Sequence, residues 1–259
     1  MAAGGFGEYV DWLRHIAPEA FVILLEGSHA RGEAHPGSDI DLRVIAPDDA
    51  AYQGYARFDP LPEASLLHVA AFVTPLSDWI EERSAPAEWA WGLPAVQEAV
   101  VLWTNPCAPL EATTAPPYRH PPRRSSLQNL VEYCCKVGRA HRGGDALALA
   151  LFTRELAQEA ASLLRQLNPP ASARHRSEAL RMVLEFEVAP PGYRRDMEVL
   201  VGVKPAASGT DQAKAARSLA LGTMDLLAEH LPDIEVGRPD LRPWLGDGTL
   251  RRYLAQHLP

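Results

Sequence analysis

Asp39 and Asp41 stand in Ser38-Asp39-Ile40-Asp41-Leu42, a short loop after Gly27-Ser28-His29-Ala30-Arg31-Gly32. Residues two apart on a strand share a face, so both carboxylates point one way while Ile40, Leu42 and Val44 point into packing. Two like charges this close raise each other's pKa unless a cation lies between them. Magnesium suits the gap, because it takes oxygen ligands and binds one or two carboxylates together with substrate phosphates. Gly27 lets backbone approach a phosphate, Ser28 offers a hydroxyl and an amide, and Arg31 adds a forked cation. Ser38 is read with them as a nucleotide contact. The chemistry this points to is the holding of a nucleoside triphosphate, ATP or another, with Mg2+.

These residues need a strand on each side of the turn. Phe21 to Glu26 is a short apolar run ending at a glycine, which reads as a buried strand, and Asp39 to Ile45 alternates as a second. Glu8 to Ala17 has helical spacing and stops at Pro18. After a loop rich in Asp, Pro and Gly, Ser65 to Val73 reads as the third strand. Pro75 to Arg83 and Pro94 to Ala99 read as short helices, and Val100 to Trp103 as the fourth strand. Ala112 to Arg124 holds four prolines and reads as a linker, with Arg119, Arg123 and Arg124 as solvated charge or triphosphate contacts. Helices follow: one striped by Leu127, Leu130, Val131, Cys134 and Val137, then 146–167, 177–187 and 194–201. The last is capped at Ser208-Gly209-Thr210-Asp211 and runs to about His230. The expected class is α+β, with a mixed-sheet domain (1–111), a linker (112–124) and a helical bundle (125–259).

A formal net charge of -8 argues against sequence-independent nucleic-acid binding and is compatible with an acidic cleft for a cationic substrate. No run of 18 apolar residues and no signal-peptide pattern are found, so a soluble, cytoplasmic protein is expected, away from membranes. Cys107, Cys134 and Cys135 indicate neither a disulfide framework nor a zinc site. Histidines 29, 35, 120, 141, 175, 230 and 257 are read as exposed or loop residues, and Trp89, Trp91 and Trp103 as core or as a cleft floor.

Gly-Ser-x-Ala-Arg-Gly followed by Ser-Asp-Ile-Asp-Leu resembles the signature of the nucleotidyltransferase (polymerase-beta-like) superfamily. Glu132 and Lys136, four apart on one helix face, read alone as either a solvated ion pair or chemistry. Glu132-Tyr133-Cys134-Cys135-Lys136 is similar to the Glu-Tyr-x-x-Lys helix of the kanamycin (aminoglycoside 4'-O-) nucleotidyltransferase family. Ser177 to Leu180 followed by Ala189-Pro190-Pro191-Gly192-Tyr193 resembles that family's helix and Pro-x-Gly-Tyr turn, and Glu88-Trp89 resembles its Asp-Trp. The resemblance implies Glu132 as general base and Lys136 as the α-phosphate contact. It further implies a homodimer with the active site near its interface, and a small-molecule hydroxyl acceptor, aminoglycoside-like or otherwise.

At Leu67-His68-Val69 the chain departs from that family, which carries a glutamate there. Neutral imidazole is a poor magnesium ligand and does not neutralise a cationic aminoglycoside. His68 is thus open to four readings: a substrate contact, an alternative base, a mark of altered or lost activity, or an ordinary half-buried residue. Two other functions compete with small-molecule transfer. The tight Gly-Ser-x-Ala-Arg-Gly-Glu form, ending at Glu33, resembles the nucleotidyltransferase antitoxins that adenylylate a protein partner. A nucleotide-binding homologue that lost turnover is the other.

Overall fold

The computed structural model describes residues 5–61, 66–84, 91, 93, 98–114, 126–169, 171–236 and 239–258. These fall into two compact units. One takes in the described residues between 1 and 87 and between 97 and 120; the other takes in those between 88 and 96 and from 121 onward. Most of the proline-rich stretch, with Arg119, Arg123 and Arg124, lies outside the described residues, as do Glu88, Trp89 and 94–97.

The first unit is built on a five-stranded mixed sheet. Helix α1 (Gly7–Ile16) leads to β1 (Val22–Glu26), a one-turn helix α2 (Gly27–Ala30), β2 (Ile40–Ala46), β3 (Gln53–Pro60), β4 (Leu66–Pro75), α3 (Leu76–Ser84) and β5 (Val100–Thr104). The strand order is β3-β4-β2-β1-β5, with only β2 and β4 parallel. One face of the sheet buries Ile23, Leu25, Ile40, Leu42, Val44, Val69 and Ala71 against Leu13 and Tyr9 of α1. On the other, Val22, Leu24 and Ile45 pack with Trp79 of α3. Each such aliphatic side chain contributes about 2 kcal/mol by leaving water. Ala112, the first residue of the expected linker, is buried in this second cluster.

Strand β3 corrects the sequence reading, which had a loop there. Gly54 and Pro60 mask it, but both are tolerated on an edge strand that pairs on one side only. Its polar residues, Arg57 and Asp59, lie on the α1 face, where Asp59 accepts a 2.8 Å hydrogen bond from the Tyr9 hydroxyl and a 2.6 Å one from Arg57 Nε. The signal for this strand was the alternation from Tyr55 to Asp59. It also makes Val100–Thr104 the fifth strand rather than the fourth.

The second unit is helical: α4 (Ser126–Arg142), α5 (Ala146–Leu164), α6 (Arg176–Leu184), α7 (Tyr193–Leu200), α8 (Gly209–Glu229), α9 (Arg242–Gly246) and α10 (Thr249–His257). Leu127, Leu130, Cys134 and Val137 form the buried stripe of α4, while Val131 is only partly buried. Ser208 caps α8, its hydroxyl accepting from the Asp211 amide at 3.1 Å. Helices α9 and α10 extend the unit beyond the last helix expected from sequence, and α10 buries Leu250 and Leu254 in the same core. Gly138 permits its close approach to α4, since a Cβ at that position would collide with the His257 carbonyl. Trp91 and Leu93 also bury their side chains in this helical core.

Candidate active site

Strand β1 ends at Glu26, and the chain turns at Gly27 with φ of 66°, a left-handed conformation that glycine adopts without strain. Across the β1–β2 ladder, Glu26 faces Asp41. Gly27 lies directly against the Asp41 carboxylate, so that a Cβ there would overlap Asp41 Oδ2. Ser28, His29 and Ala30 follow in the single turn of α2. Arg31 ends it and pairs through Nε with Glu33 at 2.9 Å.

Ser38 is buried and accepts a 2.9 Å hydrogen bond from the His35 amide, which holds the loop entering β2. Asp39 is exposed and Asp41 half-buried, on the face opposite Ile40 and Leu42. Burial, then repulsion from Asp39, holds the Asp41 carboxyl above the usual carboxylate range, with His68, His29 and Arg31 pulling the other way. The parallel register of β2 and β4 sets Ile40 beside Val69, which brings His68 next to Asp39. Their closest approach is 3.9 Å, from Nδ1 to Oδ2. The His68 ring stacks on Phe58 of β3, with centroids 5.0 Å apart. The first unit thus assembles Gly27, Ser28, Arg31, Asp39, Asp41 and His68 at one end of the sheet.

His29 departs from the exposed or loop position expected from sequence. It is instead partly buried, edge-on to Phe6 at 5.9 Å. Spacing did not reveal a network behind Asp41 either. Arg43, the next residue on that face, reaches Glu26 at 3.2 Å, Thr74 Oγ1 at 3.1 Å and Glu82 at 3.0 Å. Its guanidinium lies 5.8 Å from the Trp79 ring centre. Burial pushes the Glu26 carboxyl up, and Arg43 offsets part of that. The signal was a charged residue in an apolar strand, Glu26 closing β1 and Arg43 interrupting β2.

In the helical unit, Lys136 Nζ meets Glu132 Oε1 at 2.6 Å. That hydrogen bond raises the lysine's pKa and keeps it charged. The ammonium also lies 4.9 Å from the Tyr133 ring centre and 5.5 Å from that of Phe152. Half of the Glu132 side chain is exposed, so its carboxylate remains reachable by a ligand. Among the described residues no group of three or more His, Cys, Asp or Glu side chains is arranged to hold a metal by itself. No helix described is long and apolar enough to cross a membrane.

Residues 11–83 match a family model described as a nucleotidyltransferase domain. Residues 126–229 match one described as the substrate-binding domain of a nucleotidyltransferase. No curated protein sequence matches the chain. Among solved structures, a nucleotidyltransferase-like protein from Exiguobacterium sibiricum is similar at 14% identity, with 98% of this chain and 89% of that one covered and a TM-score of 0.41. One family match spans the glycine turn and both aspartates, and the other spans the helix of Glu132 and Lys136. The two matches, to a nucleotidyltransferase domain and to a nucleotidyltransferase substrate-binding domain, identify the chain as a nucleotidyltransferase.

Proposed function

We propose that the enzyme transfers AMP from ATP to a hydroxyl of a small molecule with the help of Mg2+, releasing pyrophosphate. The observation that carries this reading is the packing of the Gly27 turn against Asp41, with Asp39 on the same strand face. The donor set suits the metal. Two carboxylates that repel each other, one of them half-buried, would gain from a dication held by them, which takes oxygen ligands of the kind phosphates and water also offer. Bound by Asp39 and Asp41, magnesium would polarise the α-phosphate and offset the charge of the triphosphate.

The remaining roles fall to the chain's own groups. The Ser28 amide and hydroxyl donate to the β- and γ-phosphates, and Arg31 exchanges Glu33 for phosphate oxygens. Ser38 serves this site by holding the loop that presents Asp39. Lys136 leaves Glu132 for the α-phosphate, which frees the carboxylate to take the acceptor proton. The acceptor oxygen then bonds to the α-phosphorus, the bond to the β-phosphate oxygen breaks, and pyrophosphate leaves on the side of the glycine turn. In this reading the chain is a homodimer, the Glu132 helix of one protomer serving the aspartates of the other. A small-molecule acceptor is preferred to a protein because the chain carries its own helical unit, which over residues 126–229 matches a substrate-binding domain.

The test is the double variant Asp39→Asn/Asp41→Asn, assayed for ATP-dependent pyrophosphate release over a panel of hydroxyl compounds. Turnover should disappear while the far-ultraviolet circular dichroism stays unchanged. Turnover surviving in the double variant would refute the assignment.

A further inference from the structure

The sheet face beside the two aspartates, on the side away from the glycine turn, is aromatic, and the described residues that β3 and β4 place on it include no Asp, Glu, Lys or Arg. Register and alternation place Gly54, Ala56 and Phe58 of β3 and Leu66, His68 and Phe72 of β4 on it. The charged residues of β3, Arg57 and Asp59, lie on the opposite face, tied to Tyr9 and Glu8. On the uncharged face Phe58 is 60% exposed and Leu66 is 63% exposed. Phe58 lies nearly parallel to His68, at an interplanar angle of 24°, and Tyr52 stacks on Phe72 at 6.3 Å. His68 carries this platform to Asp39, at 3.9 Å.

Strand order then decides what reaches it. The glycine turn leaves β1, the aspartates sit on β2, and the platform lies on β4 and β3, successive strands being roughly 5 Å apart. In nucleotidyl transfer the attacking and leaving oxygens are roughly in line. With pyrophosphate leaving toward β1, the acceptor approaches from β4. We infer that the Phe58–His68 face seats the acceptor, and that the acceptor is a hydroxylated molecule bearing an uncharged planar ring rather than a polycation. This rests on the transfer reaction proposed above. Aromatic side chains hold planar rings by offset stacking, whereas a polycation would need carboxylates, and among the described residues β3 and β4 place none on this face, the neighbouring Asp39 and Asp41 being the pair assigned to the metal.

Methyl, phenyl and naphthyl β-D-glucosides, which differ only in the ring beside a common set of hydroxyls, would be titrated into the full chain by calorimetry. Kanamycin and ATP with Mg2+ serve as comparators, and AMP transfer is followed by mass spectrometry. Affinity should rise about tenfold from methyl to naphthyl and exceed that for kanamycin. Phe58→Ala should erase the rise, Phe58→Trp should keep it, and both should bind ATP like the parent. Three results would overturn the inference: affinity independent of the ring; a Phe58→Ala defect in ATP binding instead, which would assign the face to the nucleobase; or a halving of sedimenting mass in Phe58→Ala, which would assign it to a second copy of the chain. Ring selectivity without AMP transfer to any probe would support the face and count against the reaction. AMP transfer to kanamycin unaffected by Phe58→Ala would refute the face and support the reaction.

Discussion

Gly27 and Asp41 touch across the first two strands, and a side chain at position 27 could be seated only by displacing the Asp41 carboxylate. The turn that is proposed to hold phosphate and the carboxylate that is proposed to hold metal are thereby fitted to each other as one piece.

Gly27→Ala tests that fit. The new Cβ meets Asp41 Oδ2 in a backbone conformation with φ of 66° that alanine disfavours. Loss of stability of about 1–3 kcal/mol is expected from the strained backbone alone. Displacement of Asp41 should lower kcat by about a hundredfold, as small misplacements at a reacting centre do. Urea unfolding and steady-state pyrophosphate release measure the two effects separately.

The shift of Asp41 predicts a stability effect with a definite sign. Its carboxyl is held above the value of 3.8 by burial and by Asp39. A group with a raised folded-state pKa favours the fold fully below its unfolded pKa and loses that contribution as pH rises through the folded value. Without Mg2+, Asp41→Asn should therefore melt higher than the parent at pH 7, and the difference should close as the pH falls below about 4. Added Mg2+ should raise the melting point of the parent and not that of the variant. Thermal melts across this pH range check both statements.

Glu132 and Lys136 form a partly exposed ion pair, of a kind that contributes little to folding. Glu132→Gln and Lys136→Met should accordingly leave the melting temperature nearly unchanged. Loss of a positioned base lowers kcat by about a hundredfold or more, so Glu132→Gln should fall mainly in kcat. Lys136→Met should act on the triphosphate and on its transition state, in both KM for ATP and kcat. Kinetics and melts on the same preparations distinguish these outcomes from simple unfolding.

Arg43 of β2 ties Glu26 of β1 and Thr74 of β4 to Glu82 of α3. Arg43→Leu would leave Glu26 buried beside the glycine turn without its main counter-charge. Removing one partner of a largely buried pair costs about 3 kcal/mol or more, and denaturant unfolding should show it. Glu26→Gln in the same background should recover part of the loss, because it removes the stranded charge.

Much of this protein was readable from residue order. The glycine turn, the alternating aspartates and most helix boundaries are local patterns, set by backbone sterics and by side-chain periods of two or 3.6. The Ser208 cap and the apolar stripe of α4 belong with them, and so does the nucleotidyltransferase signature. Other features depend on pairings between segments far apart in the chain. Strand β3 exists because β4 supplies its hydrogen bonds and Tyr9 takes up its charges. His68 acquires its meaning from a parallel register that sets it beside Asp39, and from a neighbouring strand that lays Phe58 on its ring. Trp91 and Leu93, which follow first-unit elements in sequence, bury their side chains in the helical core. Local sterics decide what a segment can be; long-range packing decides what it faces.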